Sequence, residues 1–384
     1  MPLRLPIYLD YNATTPVDKR VLEAMLPYFS EHFGNAASRS HLYGWETEEV
    51  VAKARKQVAK ILNCNVKEIA FTGGATESNN LAIKGLFENH STAKKHIITL
   101  ETEHKAVLDV CEALEKYGAI VTYLKPKPDG LIDIEQLTAA LRPDTLLVSV
   151  MLANNEIGVI QPIRQIAEIV HANGSLLHTD ATQAVGKIPT DVQTEGIDLL
   201  SFSAHKLYGP KGIGALFIKK GIEIMPQTNG GGHERGRRSG TLNVPGIVGL
   251  GKACEVAQKE MKAEAERLNE LRNKLEINIL RAIPNTFVNG SISNRMTNLT
   301  NICFAGLDGE TLLTRLKDIA VSSGSACTSA SVLPSHVVKA LGRSNNDAHS
   351  SIRFSLGRYT TNEDIEFVIK HIEEILLTTP FGSI

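Results

Sequence analysis

A chain of 384 residues, 42% hydrophobic and 22% charged, is long enough to bury more than one core, so one large and one smaller domain are expected. Its net charge of −1 gives no electrostatic reason to bind nucleic acid or an anionic membrane. No apolar run reaches the length of a membrane span, and the opening Met1-Pro-Leu-Arg-Leu-Pro6 lacks the apolar core of a signal peptide, so a cytoplasmic protein is expected.

From about residue 60 to 220, short apolar runs alternate with helical patterns. Strands are predicted over 68–72, 96–100, 121–124, 145–152, 175–179, 199–203 and 214–218. Helices are predicted over 77–87, 106–117, 134–141 and 163–173. That alternation implies an α/β fold with a mostly parallel sheet covered on both faces. Ligands in such folds collect beyond the C-terminal strand ends. From about Pro245 the chain becomes charged with helical spacing, and a long helix is predicted through 253–283. It leads into a smaller α/β domain. We divide the chain into a large domain, 15–260, and a small one made of 1–14 and 261–384.

The loops after the predicted strands carry the chemistry. Lys206 lies in Ser201-Phe-Ser-Ala-His-Lys-Leu-Tyr-Gly-Pro-Lys-Gly212, at the end of an apolar strand and before a glycine-bearing turn. Most lysines are solvated surface charges. This one has a carboxylate partner, Asp180, in His178-Thr-Asp-Ala-Thr-Gln183. A Schiff-base lysine with an acid for a pyridinium nitrogen is what pyridoxal phosphate requires of a protein. By itself, Asp180 reads equally well as a turn cap. Gln183 is placed to donate to the cofactor's phenolic oxygen.

Thr72-Gly-Gly-Ala-Thr-Glu-Ser78 joins a strand to a helix, where small residues and the helix dipole favour an anion. Thr76 adds a hydroxyl, which would otherwise serve only to cap the helix. Ser203 and His205 would complete a phosphate cup. His104, in a strand's C-terminal loop, could stack on the ring and carry protons. Asn155, in Ala153-Asn-Asn-Glu-Ile-Gly158, could reach both cofactor and substrate carboxylate, or be an Asn/Gly turn. Arg353 sits in an alternating strand pattern; its fork suits an amino-acid carboxylate, or else a surface or interdomain salt bridge. Gly230-Gly-Gly-His-Glu-Arg-Gly-Arg-Arg-Ser-Gly-Thr241 is either a flexible solvated loop or an ordered anion-binding one.

The five cysteines, 64, 111, 254, 303 and 327, are odd in number and widely spaced, which fits neither a disulfide framework nor a zinc site; no metal is expected. The first four read as small buried hydrophobes. Cys327 differs. It lies in Val321-Ser-Ser-Gly-Ser-Ala-Cys-Thr-Ser-Ala-Ser331, a small, polar segment without periodicity that reads as a mobile, exposed loop over about 321–333. A thiol there suits a nucleophile that enters a site and carries its load outward.

These motifs, together with Tyr8-Leu-Asp-Tyr-Asn-Ala-Thr-Thr-Pro16 and Phe33-Gly-Asn-Ala-Ala-Ser-Arg-Ser-His41, resemble the cysteine desulfurases of the IscS/NifS group, class-V aminotransferases of pyridoxal-phosphate fold type I. The resemblance covers nearly the whole chain, and the Ser-Ser-Gly-Ser-Ala-Cys-Thr-Ser loop is its most specific marker. It implies a seven-stranded, mostly parallel sheet and pyridoxal phosphate as cofactor. Lys206 would form the Schiff base, Asp180 bind the ring nitrogen, His104 stack on the ring and Gln183 reach its oxygen. Ala75, Thr76, Ser203 and His205 would hold the phosphate, joined by Thr241 of the partner subunit in a homodimer. Asn155 and Arg353 would clamp the substrate carboxylate. L-cysteine would become L-alanine, its sulfur passing as a persulfide to Cys327 and then to an iron–sulfur scaffold or a carrier for tRNA or cofactor thiolation. Leu152 stands where the family often has a polar residue. The chain ends at Thr-Thr-Pro-Phe-Gly-Ser-Ile384, shorter than the IscS type, so scaffold docking is expected to be built differently. Two alternatives stay open: a selenocysteine lyase or other fold type I aminotransferase, and a non-enzymatic sulfur-delivery partner.

Overall fold

The computed structural model describes residues 5–90, 93–323 and 333–377. In chain order the first half runs β1 (Ile7–Tyr8), α1 (Lys19–Met25), α2 (Pro27–Ser30), α3 (Leu42–Leu62), β2 (Ile69–Thr72), α4 (Ala75–His90), β3 (His96–Leu100), α5 (Lys105–Glu115) and β4 (Ile120–Leu124). It continues through α6 (Ile134–Ala140), β5 (Thr145–Ser149), α7 (Ile163–Ala172), β6 (Leu176–Asp180), β7 (Leu199–Ser203) and β8 (Gly214–Ile218). After α8 (Val244–Ala282) come β9 (Thr286–Val288), β10 (Leu299–Phe304), α9 (Gly309–Arg315), β11 (Ile319–Ala320), α10 (His336–Ala340), α11 (Asn345–His349), β12 (Ser351–Ser355) and α12 (Asn362–Leu377).

Seven strands form one sheet in the order β2-β8-β7-β6-β5-β3-β4. Only β8 runs antiparallel to its neighbours. Successive residues of a strand feed opposite faces: Ile97, Leu147 and Leu216 enter the core under α4 and α5, while Ile98, Val148 and Phe217 enter the core under α3 and α7. Both faces are covered, so the strands read as continuous apolar runs. All seven predicted strands are present. The one over 145–152 stops at Ser149, because the chain there turns away to form the Asn155 loop.

The predicted long helix begins earlier than its charged segment suggested. α8 starts at Val244, capped by Asn243 and with Pro245 in its first turn. Glycines at 246, 249 and 251 disguised this half. They are required because a Cβ at Gly251 would stand 2.7 Å from Ala54 Cα, where α8 crosses α3. At 39 residues, α8 is about 58 Å long at 1.5 Å per residue. Val244 to Ala257 pack into the large core, and Leu268 to Ile279 into a second core with Ile7, Leu9 and α12. The expected boundary at 260/261 therefore falls inside one unbroken helix.

The second core backs an antiparallel sheet, β12-β10-β9, and β1 pairs with β11 beside it. Arg358 bolts the two halves together: it reaches Asp18 at 2.6 Å and Glu264 at 2.8 Å, and lies 4.2 Å over the Tyr208 ring. No described helix is long and apolar enough to cross a membrane. Cys111, Cys254 and Cys303 are buried as expected, whereas Cys64, after α3, is only half-buried.

Candidate active site

β2, β6 and β7 run in the same direction, so their C-terminal ends lie on one side of the sheet. Lys206 ends a single 3-10 turn, Ala204–Lys206, directly after β7. Its Nζ donates to Asn12 O at 2.5 Å and Ala13 O at 2.7 Å, so the N-terminal arm lies across the lysine. His205 meets Thr14 Oγ1 through Nδ1 at 3.1 Å, and its carbonyl accepts from Thr15 N at 3.0 Å. Burial, aided by the Lys206 charge, pushes the His205 imidazole down to about 4, so the ring is neutral near pH 7. Beyond the lysine, Tyr208 takes a left-handed φ of 64°, and its hydroxyl accepts from Arg358 N at 2.5 Å.

Asp180 ends β6 and is 6% exposed. Its Oδ2 accepts from Asn79 Nδ2 at 2.7 Å and its Oδ1 from Thr182 N at 2.9 Å. The carboxylate is thus held from a helix on one side and by its own turn on the other. Asn79 was not singled out from the sequence; its signal is an amide on the buried face of α4, one turn beyond the glycine-rich loop.

His104 caps α5, its Nδ1 accepting from Ala106 N at 3.0 Å. That bond leaves the neutral ring's proton on Nε2. His104 is exposed, yet loss of solvation where it packs lowers its pKa; the Asp180 charge opposes that and the Lys206 charge adds to it. Glu103 beside it is fully buried, with Oε1 accepting from Met151 N at 2.7 Å, and burial raises this carboxyl well above its ordinary range. His336 Nε2 donates to Glu103 O at 2.9 Å and Ser335 donates to Glu156, tying the chain after residue 333 to the His104 and Asn155 loops.

Gln183 Nε2 donates to Asn12 O at 3.0 Å, and Gln183 Oε1 accepts from Lys187 Nζ at 2.8 Å. Asn155 O accepts from Asn12 Nδ2 at 3.2 Å and from Arg353 Nη1 at 3.0 Å. Arg353 also pairs with Asp10 at 2.6 Å, an ion pair within the small domain rather than between domains; its Asn155 contact is the one that crosses to the large domain. Asn12, 2% exposed, therefore links Lys206, Gln183, Lys187 and Asn155. Neither Asn12 nor Lys187 was assigned a role from the sequence, although Asn12 lies in the Tyr8 to Pro16 motif.

Between β2 and α4, Gly74 has φ +152°, a conformation open to glycine. Gly214 faces it so closely that a Cβ there would stand 2.7 Å from Gly74 Cα. Ala75 and exposed Thr76 begin the 16-residue α4, whose first N–H groups have no partner within the helix. Ser203, 4% exposed, borders Gly74. The glycine-rich loop of 230–241 is ordered: Glu234 pairs with Arg55 at 2.6 Å and Arg238 with Glu77 at 2.8 Å. Thr241 at its end is exposed and makes no hydrogen bond to the other candidate residues among the described ones. Cys327 lies outside the described residues.

These residues fit pyridoxal phosphate. The amine stands at the C-terminal end of the sheet beside the pinned carboxylate, and the N-terminus of α4 follows a glycine cradle. Thr182 Oγ1, Asn155 Oδ1 and Arg353 Nε are buried polar atoms without a hydrogen-bond partner among the described residues, as expected of groups reserved for a ligand.

Comparison with known proteins agrees. The sequence model of the family Aminotransferase class-V matches residues 7–368. A protein of Methylobacillus flagellatus named cysteine desulfurase IscS is 55% identical over 96% of this chain and 92% of its own length. A solved NifS-like protein superposes with a TM-score of 0.91 at 40% identity, covering 97% of this chain and all of that one. A structure described as SspA in complex with cysteine gives 0.81 at 39% identity over 92% of this chain and all of its own. The fold, the cofactor-binding constellation and these similarities coincide: the chain belongs to the class-V aminotransferase family, pyridoxal-phosphate enzymes of fold type I, in the company of the cysteine desulfurases.

Proposed function

We propose that this protein is a cysteine desulfurase that converts L-cysteine to L-alanine and passes the sulfur to its own Cys327. The observation that carries this is the convergence of Lys206, the doubly held Asp180 and the Gly74–Thr76 helix start in a chain 55% identical to an enzyme of that name. The state of the other cysteines adds support. Burial pushes the thiols of Cys64 and Cys111 up to about 12, and raises those of Cys254 and Cys303 as well. None of the four is a thiolate near pH 7, which leaves Cys327 as the nucleophile.

Pyridoxal phosphate, when bound, supplies an electron sink for the carbon bearing the substrate amine. Ala75, Thr76, Ser203 and His205 hold its phosphate, with Thr241 of the partner subunit completing the cup in a homodimer. Asp180 keeps the ring nitrogen protonated, and His104 lies against the ring. Lys206 holds the aldehyde carbon at rest and moves the substrate's α proton as a neutral amine. Asn155 and Arg353 orient the substrate carboxylate, Arg353 through the Nε left unpaired beside its Asp10 contact. The Cys327 thiolate attacks the substrate sulfur: an S–S bond forms, the Cβ–S bond breaks, and its electron pair stays with the carbon skeleton. Protonation at that carbon, with His104 handling the thiol proton, yields alanine. Cysteine plus the protein thiol gives alanine plus a protein persulfide, so atoms and electrons balance without an added oxidant.

The persulfide then serves an iron–sulfur scaffold or another sulfur acceptor in the cytoplasm. The working division is a large domain of 15–260 and a small one of 1–14 with 261–384. The test is Cys327→Ala: the purified variant should keep its yellow colour yet form no persulfide and lose alanine release from L-cysteine. Equal alanine and sulfide release by both proteins would refute Cys327 as acceptor.

A further inference from the structure

We infer that Lys187 is a positioning residue for the site, setting which end of the Gln183 amide faces the cofactor. This deepens the proposed function and rests on it. Gln183 is 4% exposed, and its amide is gripped at both ends. Lys187 Nζ donates to Oε1 at 2.8 Å, and Nε2 donates to Asn12 O at 3.0 Å, the carbonyl that also receives Lys206 Nζ. A protonated lysine has three donors and no lone pair, so the end of an amide that meets it must be the oxygen. The NH2 group is thereby turned toward Asn12 and Lys206. One of its hydrogens is used by Asn12 O, and the other is available to an oxygen on the cofactor ring.

Lys187 comes four residues after Gln183, beyond the tight turn at Gly186, where φ is +80°. A Cβ at Gly186 would stand 3.1 Å from both Leu207 and Ala257, so the turn that aims Lys187 inward tolerates little else. The ammonium's second contact is Asn12 Oδ1 at 3.4 Å. Both contacts are neutral oxygens; no carboxylate pairs with it among the described residues. The charged groups facing it are Lys206 after β7, Arg353 on β12 and Glu264 on α8, and the Tyr11 and Tyr208 side chains line the same small cavity. Burial first, then the Lys206 and Arg353 charges against Glu264, bring Lys187 down to about 7. The grip on Gln183 is therefore strongest on the acid side of neutrality and slackens above it.

The experiment is a pH titration of the visible absorbance of the cofactor-loaded protein for wild type, Lys187→Met, Gln183→Ala and the double variant. Losing a donor to the ring oxygen should raise the absorbance midpoint in Lys187→Met by roughly 0.5–1 pH unit, the size of one hydrogen bond. Because Lys187 acts through Gln183, the same substitution in the Gln183→Ala background should move the midpoint by less than about a third as much. An unchanged midpoint in Lys187→Met overturns the inference. So does an equal shift in both backgrounds, which would mean the lysine acts only by its field. If Lys187→Met takes up no cofactor, Lys187→Arg, which likewise has donors and no acceptor but stays charged, should hold the wild-type midpoint while losing its sensitivity near pH 7; a shifted midpoint there also refutes the role. A colourless wild-type protein would refute the cofactor reading itself, a result distinct from all of these.

Discussion

Replacing Glu234 by Gln should loosen the glycine-rich loop and lower the stability of the whole protein. The Glu234 carboxylate accepts from Arg55 Nη2 at 2.6 Å, from Arg55 Nη1 at 2.7 Å and from Phe71 N at 2.8 Å. Arg55 also donates to Ile69 O at 2.8 Å and lies 4.5 Å over the Phe71 ring. The two side chains are 11% and 1% exposed, so this is a buried pair joining the loop to the sheet's edge strand. Glu234 and Arg235 both hold left-handed φ values, 49° and 60°, at a cost of about 1–2 kcal/mol each. The pair is what keeps that turn closed. Glutamine preserves the shape but leaves the guanidinium buried without a counter-charge, a loss of about 3–5 kcal/mol, of which relaxation of the turn returns part. About 3 kcal/mol should remain. With an unfolding entropy near 2.1 cal/mol/K per residue over 384 residues, that lowers Tm by about 4 °C. Calorimetry of the cofactor-loaded protein measures the shift, and hydrogen exchange at 69–71 and 233–237 should rise with it. A Tm within about 1 °C of wild type, with exchange unchanged, would refute this account of the loop.

Gly214→Ala should be far worse than an ordinary glycine substitution, since its Cβ would meet Phe202 O at 2.5 Å and Gly74 Cα at 2.7 Å, both backbone atoms. The cradle must then open, and a weaker cofactor affinity at equilibrium dialysis is the expected result; retention of wild-type affinity would contradict the phosphate site. His178 is fully buried between Ser149 Oγ at 2.8 Å and Ser201 Oγ at 3.0 Å, and burial holds it down to about 4. The unfolded chain takes up that proton near 6.5, so stability present above pH 6.5 is lost as pH falls toward 4, in all about 3 kcal/mol. Urea unfolding at pH 7 and pH 5 should show the slope, and His178→Gln should flatten it; equal slopes in both proteins would count against a neutral buried histidine.

How much of this was legible before folding differs by residue. The strands could be read because both sheet faces are covered, and a strand buried on both sides is mostly apolar, as β3, β5 and β7 are, each with three apolar residues in five. Lys206, Asp180 and Gln183 could be read because each follows such a strand, and chemistry in α/β folds collects there. The start of α8 could not: its glycines look like helix breakers until α3 and Met25 are seen packed against Gly251 and Gly249. Nor could Asn79, Asn12 and Lys187, which are ordinary polar residues until the fold brings their amides and amine to the site residues. Arg353 stood between two readings, and the structure supplies the Asp10 pair while leaving Nε unpaired. By itself, then, the sequence determined the fold class, the strands and the candidate reacting groups, because burial and covalent chemistry act through residue type. Only the tertiary structure decided which way those groups face, because orientation depends on partners distant in the chain: Asn12 lies 194 residues from Lys206 and 171 from Gln183, and no local pattern records that they meet.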